Sequence, residues 1–345
     1  MRWTLYAFLF TAFLSAFSAC KKQAISLSTN ADEIFWVINN GADMPIWVQG
    51  NTASNVIILL VHGGPGDGSY NYNDYETARL KEKYGLAFWD QRNAGASSGN
   101  SNFNRLTFPQ LIDDLKSVVK VLAHRYPHTS IFLYAHSFGG LLAAGYLVDG
   151  QNQYDLKGWI EIDGAHNYPL TNAESKKALI DTGNSEISKG RNVAAWQEIV
   201  EYCKTHNPRK SFNASSQIEI YAHDAEGYMG ITPADVNTNL FSPEDPFSLL
   251  VNYYKLYYTS DGDNFVESLQ NVNYSNQMGK IKIPSLLLWG KYDFTVPRSV
   301  GEDAEKQLGS AYKKLIIYPH SGHRPMQGDT DIMEDDIMAF IEKFK

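Results

Sequence analysis

Ser137 stands in the run Leu133-Tyr134-Ala135-His136-Ser137-Phe138-Gly139-Gly140, where an apolar segment of strand length gives way at once to a small-residue, apolar segment. A serine on a sharp strand-to-helix turn has its hydroxyl lifted clear of the sheet, and the new helix N-terminus aims N–H groups at the reacting oxygen. Such a turn calls for small residues two before and two after the serine, which are expected to crowd each other. Gly139 supplies one, and Ala135 adds a methyl at the other. Taken alone, the stretch reads equally as a serine that caps a helix. A serine hydroxyl is a weak nucleophile at neutral pH, so it needs a base, and the base needs a carboxylate to fix its tautomer. Asp293 follows an apolar run ending at Trp289, and His320 and His323 follow the next one. Both loops fall just beyond strand ends, where open parallel sheets place their ligands. The spacing of Asp293 and His323 leaves room for one crossover helix.

An acyl-transfer site also needs donors for a developing oxyanion, worth about 2.7–4 kcal/mol each. The loop His62-Gly63-Gly64-Pro65-Gly66 follows the first buried strand and offers the Gly64 N–H, with Gly63 close behind. Phe138 N–H would be the second donor. A glycine-rich loop can also cradle a phosphate, but neither a Walker lysine nor a dinucleotide fingerprint accompanies this one.

The elements that must hold these residues alternate. Ile34 to Ile38 and Pro45 to Val48 read as an antiparallel pair joined by a turn from Asn39 to Asp43. Val56 to Val61 is continuously apolar and β-branched, as a strand buried on both faces should be. Leu86 to Trp89, Ile131 to Tyr134, Gly158 to Ile162, Ile283 to Trp289 and Lys314 to Tyr318 repeat the pattern. A helix opening at Thr107, with Pro109 in its first turn, carries Leu111, Leu115, Val118, Val119 and Leu122 on one face. Another runs from Phe138 to Leu147. This order predicts an α/β fold with a mostly parallel sheet and right-handed crossovers. The alternation stops over residues 166–279, a mainly helical, tyrosine-rich block including Tyr253, Tyr254, Tyr257 and Tyr258, which reads as an inserted cap. Residues 34–165 and 280–345 form the predicted core.

The set His62-Gly-Gly-Pro-Gly66, Trp89-Asp-Gln-Arg-Asn-Ala-Gly-Ala-Ser97, Ala135-His-Ser-Phe-Gly-Gly140, Gly290-Lys-Tyr-Asp-Phe-Thr-Val-Pro297 and Ser321-Gly-His323 resembles the α/β-hydrolase superfamily. Its first two members resemble the proline iminopeptidase branch, and the likeness spans about residue 34 to 345. The resemblance implies an α/β-hydrolase fold and the chain order nucleophile, acid, base. Ser137 is then nucleophile, Asp293 the acid and His323 rather than His320 the base, with Gly64 and Phe138 as oxyanion donors. Asp90 and Arg92 are expected to brace the neighbouring loops. Asn93 stands where the family has a glycine, while Gly95 and Ser97 are retained. Proline iminopeptidases usually have a glycine-rich elbow with tryptophan after the serine; here His136 precedes it and Phe138 follows. They hold the substrate's free amine with cap carboxylates, for which Glu198, Glu201, Asp224 and Glu226 are the candidates. The expectation is a serine hydrolase of proline iminopeptidase-like aminopeptidase type, acting on small peptides without metal or cofactor. The alternatives are an esterase or other small acyl-compound hydrolase, and a membrane-tethered binding protein that keeps the fold without the activity.

The N-terminus has its own signal. Arg2, an apolar run from about Trp3 to Leu14 and the small residues Ser18-Ala19 before Cys20 read as a secretory leader over residues 1–19. The ending resembles a bacterial lipobox, which implies lipidation of Cys20, a tether over 20–33, and an exported protein anchored in a membrane and facing the periplasm or exterior. With 43% hydrophobic and 20% charged residues the chain can bury a large core. Its net charge of −8, without a basic run, argues against nucleic acid as a partner. The two cysteines, Cys20 and Cys203, exclude a disulfide framework and offer no zinc cluster.

Overall fold

The computed structural model describes residues 31–72, 75–97, 106–207, 212–231, 256 and 258–345. The expected leader over residues 1–19, Cys20 and the first part of the expected tether lie outside these residues, as do Tyr253, Tyr254 and Tyr257. The chain enters a hairpin of β1 (Ala31–Asn39) and β2 (Ala42–Gly50). Its turn is tighter than Asn39 to Asp43: only Asn40 and Gly41 separate the paired residues Asn39 and Ala42. Their φ values of 45° and 78° are the left-handed pair that a two-residue Asn-Gly turn requires.

The remaining strands are β3 (Val56–Val61), β4 (Gly85–Trp89), β5 (Ser130–His136), β6 (Gly158–Ile162), β7 (Ser285–Gly290) and β8 (Lys313–Tyr318). They assemble in the order β1-β2-β4-β3-β5-β6-β7-β8. β2 is antiparallel to β1 and β4, and every later pair is parallel. From β3 to β7 every residue except Ser130 is buried, which is why these segments read as unbroken apolar runs.

The helices are α1 (Ala78–Lys83), α2 (Phe108–Arg125), α3 (Phe138–Leu147), α4 (Tyr168–Ser188), α5 (Val193–Thr205), α6 (Phe212–Tyr228), α7 (Ser260–Leu269), α8 (Arg298–Gln307), α9 (Pro325–Gly328) and α10 (Thr330–Phe344). Thr107 caps α2 by accepting from the Gln110 N–H, and the predicted stripe from Leu111 to Leu122 is buried. One face of the sheet packs on α2, α3, α7 and α8, and the other on α1 and α10. Helices α4, α5 and α6 share a separate small core of Leu179, Trp196, Ile199, Cys203, Ile218, Ala222 and Ala225, closed by Phe294 from the loop after β7. Parts of the 166–279 block reach the main core: Leu256 and Met278 belong to it, Tyr168 and Leu170 of α4 pack against it, and α7 joins it too. Phe265, Val266 and Leu269 of α7 lie in that core, and the helix also contacts α6. Burial raises the Cys203 thiol to about 11, which makes it an inert packing residue.

Candidate active site

Ser137 joins β5 to α3 at φ 54°, ψ −119°, a conformation costing about 1–3 kcal/mol that only a well-braced turn sustains. Its N–H donates to the Ile162 carbonyl at 3.0 Å, and its carbonyl accepts from the Gly140 N–H at 2.9 Å. A Cβ at Gly139 would collide with the Val61 and His62 carbonyls, and one at Gly140 with Gly164. The crowding therefore comes from the ends of neighbouring strands. Ala135 lies inside β5 between Val61 and Glu161, and the three atoms nearest a Cβ at Gly139 belong to Val61 and His62 rather than to Ala135, to which the spacing had pointed.

His323 Nε2 is 2.9 Å from Ser137 Oγ, and His323 Nδ1 is 2.9 Å from Asp293 Oδ2. A carboxylate can only accept, so Nδ1 carries the proton and Nε2 is left to accept from the serine hydroxyl. Asp293 is held in turn by the N–H groups of Thr295 and Val296, each 2.8 Å from Oδ1. Burial opposes a charge on His323, but the attraction and hydrogen bond of Asp293, then the fields of Glu226 and Glu219, outweigh it and raise the imidazole above its ordinary value. His320 is elsewhere: its side chain is 77% exposed and pairs with Asp329 at 3.1 Å.

Of the two loop glycines, Gly63 is already engaged, its N–H donating to Tyr72 Oη at 3.0 Å. Gly64 and Phe138 line the cavity beside Ser137. Asp90 braces this loop by accepting from the Ser69 N–H at 2.7 Å and the Ala96 N–H at 2.6 Å. Arg92 makes a bidentate pair with Asp114 at 2.7 and 2.8 Å and also holds the Asn39 carbonyl. Asn93 replaces the family glycine at φ 59°, where asparagine is among the few side chains at ease, whereas a Cβ on Gly95 would run into Asp90.

The cavity at Ser137 has a volume of about 100 Å³ and is walled by Gly64, Pro65 and Phe138 on the core side. Across it stand Thr171, Asn172 and Ser175 of α4 and Ser216, Ile218 and Glu219 of α6. Glu219 is the carboxylate among these lining residues, and no spacing rule singles it out from the other cap acids. The candidates read from sequence fall elsewhere. Helical periodicity turns Trp196, Ile199, Val200 and Cys203 inward, so Glu198 and Glu201 face solvent, Glu198 bonding Tyr221 at 3.0 Å. Asp224 is also exposed and outside the cavity wall. Glu226 is buried but points at the His323 loop: its Oε1 accepts from the His323 N–H at 3.0 Å. Burial, then the nearby Asp293, push its carboxyl up to about 8.

Asp163, at the end of β6, was not singled out by the sequence. It accepts from the Gly290 N–H at 2.9 Å, and burial, then Asp293, hold its carboxyl well above the usual range. With His136 and His323 it forms the one group of potential metal ligands among the described residues. All four ring nitrogens of that group are already hydrogen-bonded, to Ser137, Asp293, Tyr72 and the His323 carbonyl, so the trio reads as a hydrogen-bond network.

This arrangement can carry out acyl transfer, and sequence comparison agrees. The family model for serine aminopeptidases, S33, matches residues 52–234. The chain belongs to this family. The S33 chain is an α/β-hydrolase enzyme of the aminopeptidase or esterase kind. It is 22% identical to the Bacillus subtilis (strain 168) protein named "Probable aminopeptidase YbaC", over 81% of this chain and 87% of that one. Its fold matches the proline iminopeptidase of Mycobacterium smegmatis with a TM-score of 0.63 at 13% identity, covering 90% of this S33 chain and 98% of that one. The esterase EaEST from Exiguobacterium antarcticum matches with a TM-score of 0.57 at 16% identity, covering 89% and 98%.

Proposed function

We propose that this S33 hydrolase removes the N-terminal residue from small peptides through an acyl-enzyme on Ser137, as a proline iminopeptidase does. Ser137 Oγ attacks the carbonyl of the first residue while His323 Nε2 takes its proton, and Asp293 stabilises the imidazolium. Gly64 and Phe138 N–H groups receive the oxyanion. His323 returns the proton to the leaving amine, and water attacks the ester by the same route in reverse. The observation that carries the peptidase reading is Glu219, a carboxylate facing the Ser137 cavity from the cap, where an N-terminal ammonium would lie. The wall of small hydroxyl and amide side chains and the modest volume suit a small residue.

The test compares proline and alanine aminoacyl-arylamides with short p-nitrophenyl esters on wild type and Glu219→Gln. The expected result is a KM for the arylamides raised about 10- to 100-fold by the substitution, with ester hydrolysis unchanged. Strong preference for esters together with indifference to Glu219→Gln would leave the esterase reading in its place. We also infer export and lipidation at Cys20, supported by the leader and the small residues before that cysteine. Palmitate labelling that disappears in Cys20→Ser is the expected outcome, and label surviving that change refutes it.

A further inference from the structure

His136 occupies the position before the nucleophile, and the acyl-transfer scheme assigns it nothing. Its ring is buried, with Nδ1 2.7 Å from Tyr72 Oη and Nε2 2.8 Å from the His323 carbonyl oxygen. A carbonyl only accepts, so Nε2 carries the proton and Nδ1 presents its lone pair; the Tyr72 hydroxyl must then donate to Nδ1. The same hydroxyl oxygen accepts from the Gly63 N–H at 3.0 Å. The chain Gly63 N–H, Tyr72 Oη, His136 ring, His323 carbonyl thus has one proton arrangement in which every donor meets an acceptor. It starts one residue before Gly64 and ends on the main chain of the base. Arg324 holds the tyrosine from its face, 4.9 Å from the ring centroid, and pairs with Glu76 at 3.1 Å.

We infer that His136 is a positioning residue: as the Nε2–H tautomer it straps the oxyanion loop to the histidine loop across the elbow, keeping the Gly64 N–H and His323 Nε2 in register about Ser137 Oγ. Burial, then the charges of His323 and Arg324, hold the imidazole well below its ordinary pKa, so it does not take the second proton that would make Nδ1 a donor. The inference rests on the acyl-enzyme reading of Ser137 and is independent of whether the substrate is a peptide or an ester. Misplacement of reacting groups by about 1 Å costs about 100-fold in rate, which is the lever such a strap would control.

The experiment measures the rate of covalent labelling by a fluorophosphonate, and kcat and KM for a short p-nitrophenyl ester, in wild type, Tyr72→Phe, His136→Gln and the double variant. Tyr72→Phe keeps the ring over which Arg324 lies and removes only the hydroxyl. Each single change is expected to lower the labelling rate and kcat about 10- to 100-fold with KM little altered. The double variant should be no slower than the slower single one, because both break the same chain. Multiplicative losses, or a loss confined to KM, overturn the inference. Independently of any variant, the ¹⁵N spectrum of histidine-labelled wild type should show His136 as the Nε2–H tautomer; an Nδ1–H tautomer overturns it. Wild type that the probe does not label counts against the acyl-enzyme reading and the strap together, whereas labelled wild type with unchanged variants sinks the strap alone.

Discussion

Asp293 shows how much one side chain settles at the residue scale. One oxygen takes the His323 Nδ1–H and the other is pinned by two backbone N–H groups, so the carboxylate cannot turn away. Asp293→Asn should therefore fold, since its amide oxygen can still accept from the loop. It then meets Nδ1 with a donor, forcing the wrong imidazole tautomer and lowering kcat about 10⁴-fold. Steady-state kinetics beside a thermal melt check both halves. The raised pKa of His323 has a definite sign: the base works only when neutral, so activity is lost as pH falls through a value above the usual 6.5 or so. An acid limb in kcat/KM at or below that value contradicts the electrostatics described. Ser137, Asp293 and His323 were legible in the sequence as candidates because each follows a recognisable apolar run. Glu219 was not, because the other cap acids, Glu198, Glu201, Asp224 and Glu226 among them, look the same until the helix phase is known.

At the scale of elements, the elbow depends on how β3, β5 and β6 end together. Gly139→Ala would drive a methyl into the Val61 and His62 carbonyls, so either the elbow shifts or the strands part. The expected outcome is a protein at least about 3 kcal/mol less stable, with little labelling by phosphonate in whatever folds. Denaturant titration and active-site labelling decide it. The loop after β4 makes a second case. Arg92 and Asp114 are both fully buried, and Asp114 also accepts from Asn39 at 2.8 Å. Asp114→Ala leaves a buried guanidinium without its carboxylate and should cost about 3–5 kcal/mol, read from urea unfolding. A change below about 1 kcal/mol would mean that the Asn39 carbonyl and water suffice. Sequence periodicity showed the strands and α2 because burial on both faces, or along one stripe, writes itself directly into residue type. It did not show that α7 touches both the main core and α6, because composition alone does not say which neighbours a helix packs against.

For the molecule as a whole, Glu226 connects the cap to the catalytic loops. It lies on α6, two turns beyond Glu219, and binds the His323 main chain. Burial, then Asp293, push its carboxyl up to about 8 in the folded state, against about 4.3 in an unfolded chain. Between those values the folded state binds more protons, so stability falls as pH rises, by up to about 1.4 kcal/mol per pH unit for one full proton. Glu226→Gln has no such proton to lose. Its melting temperature relative to wild type should improve by a few degrees between pH 6 and pH 9, and parallel curves would refute the link. The resemblance of the chain's motifs implied the α/β-hydrolase class; the sequence by itself determined the alternation of strands and helices, the mostly parallel sheet, and the placing of Ser137, Asp293 and His323 just beyond strand ends. Those follow from local rules, since buried strands and tight glycine turns constrain residue type wherever they occur. Only the tertiary structure decided which loop glycine has its N–H engaged, which cap acid lines the cavity at the serine, and that Glu226 and His136 hydrogen-bond the His323 main chain. Such roles depend on which groups meet across long sequence separations, and hydrogen bonds between distant loops leave no periodicity to read.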